Sequence, residues 1–111
     1  MTDVTTAEQI QVDLAGVWDR AYPLVLERVT KVEEATVELS KASPGVETVA
    51  AGRDEAHKLA GALGTFGLDR GTRLARALER CLCVLSSTDA PEAERLAAEL
   101  RSVVENAVAR R

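Results

Sequence analysis

The chain has 111 residues, 46% of them hydrophobic and 29% charged, which suits one buried core in a single domain over residues 1–111. Its 18 Ala, 13 Leu and 13 Val argue against a disordered chain, and no run of about twenty apolar positions marks a membrane span. The net charge of −4, with only one Trp, one Tyr and one Phe, argues against a nucleic-acid-binding module, which carries a basic excess and aromatics that stack on bases.

Apolar residues recur at helical spacing from Thr6 onward. Ala7, Ile10, Leu14, Val17, Trp18 and Ala21 form a first stripe, with Thr5 or Thr6 as the expected N-cap and Glu8 favourable in the first turn. Pro23 lacks a backbone donor and crowds the preceding turn, so a break or kink is expected near Tyr22. A second stripe, Val25, Val29, Val32, Thr36 and Leu39, ends at Ser43-Pro44-Gly45. The next helix is predicted from about Val46 to Phe66, closed by Gly67 in a left-handed C-cap. Another is predicted over about Asp69 to Leu85, with Leu74, Leu78, Cys81, Leu82 and Leu85 on one face. After the Ser86–Asp89 loop, Pro91 sits harmlessly in the first turn of a last helix reaching about Ala109. No segment alternates like a strand. The expected fold is all-α: an antiparallel four-helix bundle with an additional N-terminal helix before Pro23.

One stretch departs from plain architecture. Gly52, Gly61 and Gly64 lie inside a helix, where each costs up to ~1 kcal/mol relative to Ala. Gly52, Ala56, Leu59, Leu63 and Phe66 share the core face, and His57 lies on its rim. At 100° per residue Gly61 is about 40° from His57 and Gly64 about 20° from it, one and two turns on. Helical side chains lean toward the N-terminus, so larger residues at these two positions would cover the imidazole. Glycine leaves it open to a large visitor.

The remaining charge sits unevenly. Residues 51–80 carry six basic and four acidic side chains, a mildly basic island in an acidic chain. Cys81 and Cys83 are too few for a disulfide scaffold and, with one histidine, too few for a zinc site, so no metal is expected. Cys81 reads as core; nothing in the sequence explains Cys83. Trp18 reads as a core anchor. The first residues, Met1-Thr2-Asp3-Val4, show no signal-peptide pattern, which makes the cytoplasm the expected location.

The segment His57-x-Leu59-x-Gly61-x-x-Gly64-x-Phe66-Gly67-Leu68, followed by Leu74-Ala75-x-x-Leu78-Glu79, resembles the histidine-containing phosphotransfer (HPt) domain of bacterial two-component phosphorelays. About 25 residues carry the likeness closely, and helix order and length agree elsewhere. Family members usually read His-x-x-Lys-Gly at the acceptor; here Ala60 holds the lysine position and Lys58 supplies a nearby one.

The resemblance implies that His57 accepts a phosphoryl group at Nε2. It would exchange that group with an aspartate of a response-regulator receiver domain, with a sensor histidine kinase as a further partner. The chemistry suits an imidazole: at its ordinary pKa near 6.5, roughly three-quarters is neutral and nucleophilic at pH 7. The receiver would bring the Mg²⁺, so no cofactor is needed, and no Walker-type loop is present. The chain reads as a carrier, not a kinase. Lys58 would reach the phosphate on its flexible stem, and Arg53 lies about 40° from His57 but leans away. Glu79 matches a position where relatives carry a polar residue near the histidine. Arg70, Arg73, Arg76 and Arg80 could form a rim that attracts an acidic receiver face. Two alternatives share the bundle: a non-transferring regulatory domain that binds a receiver or kinase, and a plain helical dimerisation module.

Overall fold

A computed structural model of the chain describes residues 3–109, with side chains over residues 15–107. Among these, four α-helices follow in order: α1 (Asp3–Leu39), α2 (Val46–Thr65), α3 (Asp69–Cys83) and α4 (Ala90–Ala109). A single 3₁₀ turn, Ser87–Asp89, leads into α4, and the described residues contain no strand. Each helix packs on the next and α4 returns to α1, closing an antiparallel four-helix bundle.

The separate N-terminal helix expected before Pro23 does not form. Instead α1 runs unbroken through Pro23 from Asp3, so Thr5 and Thr6 lie inside the helix and do not cap it. The buried positions explain the continuity. Trp18, Val25, Val29, Val32, Thr36 and Leu39 are buried and Tyr22 is half-buried, a stripe repeating at steps of four and three across the proline. Pro23 itself is exposed, where water can take over its lost hydrogen bond. Burying each large side chain contributes roughly 1.5–3 kcal/mol, so the continuous face outweighs the ~3 kcal/mol cost of one interior proline. Val17, assigned to that face from sequence, is instead 41% exposed. Ala7, Ile10 and Leu14 lie outside the side chains described.

Trp18 anchors α1 as expected. Its ring meets Phe66 edge-on at 4.9 Å and tilts against Tyr22 at 5.9 Å, gathering the three aromatics at one end of the bundle. Phe66 is the C-cap of α2, so the part of α1 before Trp18 runs past the end of α2. This overhang makes the molecule long and narrow, 61 × 20 × 20 Å.

Two turns fix the neighbours of α2. At its start, Glu38 accepts a hydrogen bond from the Gly45 backbone N–H at 2.8 Å and pairs with Lys41 at 3.0 Å. At its end, Gly67 adopts the expected left-handed backbone with φ of 72°, and the N–H groups of Gly67 and Leu68 donate to the carbonyls of Gly64 and Leu63. This closure satisfies two carbonyls that would otherwise end the helix unpaired. Across the bundle, Arg101 of α4 clamps Glu33 of α1 with two hydrogen bonds of 2.7 and 2.8 Å and donates a third to Thr30.

Candidate functional site

The site lies on α2 and α3, which form the most closely packed pair beside α1. Gly71 is buried where α3 meets α2: a Cβ there would come within 3.0 Å of Leu63 Cδ1 and 3.4 Å of Val103 Cγ1. The next residue, Thr72, donates from Oγ1 to the carbonyl of Ala60, one turn before Leu63 on α2, at 3.1 Å. These contacts set the register that brings Glu79 of α3 opposite His57 of α2.

His57 Nδ1 lies 3.0 Å from Glu79 Oε2. A carboxylate can only accept a hydrogen bond, so Nδ1 carries the proton and donates it. In the neutral ring the other nitrogen, Nε2, then keeps its lone pair. The His57 side chain is 75% exposed and Glu79 31%, so the ring meets solvent while the carboxylate that holds it is partly sheltered. The ring is fixed in tautomer and orientation by a neighbour on a different helix.

The three glycines of α2 separate into two jobs. A Cβ on Gly52 would lie 2.1 Å from Ala35 Cβ, so that residue lets α1 and α2 touch. At Gly61 a Cβ would meet nothing within 4 Å, and at Gly64 only Thr72 Oγ1 at 3.5 Å. Neither of these two is needed for packing. They leave a clear track on the His57 side of the helix, as the helical angles imply.

Beside that track runs an open groove lined by His57, Gly61, Arg76, Glu79, Arg80 and Cys83. The groove thus unites His57, Gly61 and Glu79 with Arg76 and Arg80 of the expected basic rim, and Gly64 follows one turn on. The structure does not place Lys58 or Arg53 in it. Lys58 Nζ stands 3.7 Å from Glu55, and Arg53 Nε stands 3.6 Å from Asp54. Glu55 in turn meets Arg28 of α1 at 3.4 Å, so Lys58 belongs to a small charge cluster on the α1 side of α2.

Two lining residues carry more weight here than the sequence assigned them. The sequence read Arg76 and Arg80, with Arg70 and Arg73, as a rim facing an acidic receiver; both line the groove beside His57. Cys83 was unexplained and also lines the groove, exposed, one turn after Glu79. The signal was available in part, since positions 76, 79, 80 and 83 follow the i, i+3, i+4, i+7 spacing of one helix side. Cys81 is half-buried against the core, and burial pushes its thiol above the ordinary range, as an inert packing cysteine requires.

No helix among the described residues is long and apolar enough to cross a membrane. No match was found among curated proteins or among solved structures. A family model, the Hpt domain, matches residues 25–110. That span takes in all of α2, α3 and α4, and the part of α1 from Val25 onward. With the exposed histidine, its carboxylate partner and the helical bundle all within the match, the chain belongs to the Hpt domain family, whose members serve phosphotransfer in two-component signalling and interact with response-regulator receivers and kinases.

Proposed function

We propose that the chain is a cytoplasmic phosphorelay carrier in which His57 exchanges a phosphoryl group with an aspartate of a receiver domain. The observation that carries this reading is the Nδ1 contact with Glu79 at 3.0 Å on a ring that is 75% exposed. With Nδ1 engaged, Nε2 is left as the nucleophile of an exposed ring, and Gly61 and Gly64 clear the approach.

In the forward step the Nε2 lone pair attacks phosphorus as the P–O bond to the receiver's aspartate breaks. The carboxylate leaves with the bonding electron pair, and the imidazole becomes a phosphorylated imidazolium that keeps its proton on Nδ1. Glu79 faces the positive charge that develops there, and no proton has to move. The reverse step returns the group by the same path. Nothing in the chain needs a nucleotide, so the carrier works as a substrate of its partners and not as a kinase.

The test is incubation with phosphorylated receivers while following acid-labile, alkali-stable label. The wild-type chain should take up label, and His57→Gln should fold normally, bind the receiver and take up none. Label on His57→Gln, or a wild type that binds a receiver tightly without ever being labelled, would replace this reading with that of a regulatory binding domain.

A further inference from the structure

We infer that Arg76 and Arg80 of α3 hold the oxygens of the phosphoryl group on His57, taking over the charge that family members usually place on α2 as a lysine. The inference rests on the phosphotransfer reading above and adds the residues that receive the phosphate.

Position 60 is Ala60, a buried residue whose carbonyl is occupied by Thr72, so α2 offers no cation at that place. Lys58, the nearest lysine in sequence, is turned to Glu55. The two arginines, by contrast, line the same groove as His57, Gly61 and Glu79. Both are exposed, and among the described residues neither forms an ion pair or a side-chain hydrogen bond. Five other arginines, Arg28, Arg53, Arg70, Arg95 and Arg101, each pair with a carboxylate; Arg20 and Arg73 also stand outside such pairs among the described residues, but neither lines the groove.

Glu79 stands between the two arginines in sequence but is engaged by His57 Nδ1. Two guanidinium groups are therefore left beside an acceptor nitrogen with no anion of their own. A phosphoryl group is the anion that nitrogen would carry, and the guanidinium fork matches its oxygens. Helix geometry lets the pair divide the task. Arg76 lies one turn before Glu79, on the side of Gly61, because α2 and α3 are antiparallel. Arg80 follows Glu79 and leans back along α3 toward the level of His57.

Chemical phosphorylation by the small donor phosphoramidate tests this without a receiver. The wild-type chain and the Arg76→Gln/Arg80→Gln pair would be labelled at His57 and titrated by phosphorus NMR. Two nearby cations favour the doubly ionised phosphate, so the double variant should titrate about half a pH unit higher than wild type. Arg76→Lys/Arg80→Lys should recover most of that shift, since the charge is kept. Lys31→Gln, which removes one charge from a separate groove between α1 and the start of α2, controls for net charge and should not move the titration. Transfer from a phosphorylated receiver should fall about tenfold or more in the double glutamine variant.

A labelled double variant whose phosphate titrates as in wild type overturns the inference and leaves the carrier reading intact. A wild type that phosphoramidate labels but no receiver does, with the arginine-dependent shift present, removes the carrier reading instead. A wild type not labelled at His57 by phosphoramidate removes both.

Discussion

At His57 the two ring nitrogens have different surroundings, and function follows from that inequality. Glu79 ties down Nδ1, so removing the carboxylate frees the ring to rotate and to change tautomer. A charge-assisted hydrogen bond at a partly exposed site is worth about 1.5 kcal/mol. Glu79→Ala should therefore slow receiver-to-His57 transfer about tenfold, while Glu79→Gln, whose amide oxygen still accepts from Nδ1–H, should recover part of the rate. Stopped-flow or gel-based transfer kinetics would measure both. Access is separable from this. Gly64 is exposed, and a side chain there meets only ordinary contact with Thr72. Gly64→Leu should keep the fold and raise helicity, gaining up to ~1 kcal/mol in helix propensity, yet reduce transfer at least tenfold. Normal transfer by a folded Gly64→Leu protein would show that the open track is not an approach path.

Within single helices the sequence was largely readable, because the angle between two residues on one helix needs no knowledge of a partner. That is why the rim position of His57, its open glycines, and the left-handed turn at Gly67 could all be anticipated. What lies between helices could not. The groove depends on how α3 slides along α2, a register set by Gly71 against Leu63 and by Thr72 on the Ala60 carbonyl. A helical wheel of α3 alone cannot say that Arg76 and Cys83 line a groove with His57, or that Lys58 turns to Glu55. Of the break or kink expected near Tyr22, the break is absent for a related reason: local propensity argued for a stop, and the buried stripe spanning both sides overrode it. Gly52 tests the α1–α2 contact directly. Its Cβ would press on Ala35 Cβ at 2.1 Å, a rigid neighbour on a packed helix. Gly52→Ala should thus destabilise by about 1–3 kcal/mol despite better helix propensity, lowering the thermal midpoint. Ala35→Gly in the same chain should return part of the loss, a coupling readable by a double-mutant cycle.

Over the whole molecule, acidic side chains at helix junctions make the fold sensitive to low pH. The Gly45 N–H and then Lys41 hold the Glu38 carboxyl below the usual carboxylate range, and Arg95 does the same for Glu92. A carboxyl depressed in the folded state stabilises it fully above its unfolded pKa of about 4.3 and loses that contribution as pH falls through the lower folded value. The Arg101 guanidinium, raised by Glu33, gives the opposite sign, but only at alkaline extremes. The thermal midpoint should accordingly be flat from neutral pH to about pH 5 and decline below about pH 4.5. Glu38→Gln should make that decline shallower, because the junction no longer carries a titrating group; an unchanged slope would place the acid sensitivity elsewhere.

The exposure of His57 also bears on time. A nitrogen open enough to meet another protein is equally open to water, and no described residue closes over the groove beside it. Phosphorylated His57 would then be a perishable intermediate, and the interval between charging and delivery would be limited by hydrolysis. Such a carrier reports recent input and forgets older input, with the concentration of free receiver setting how much of each message survives.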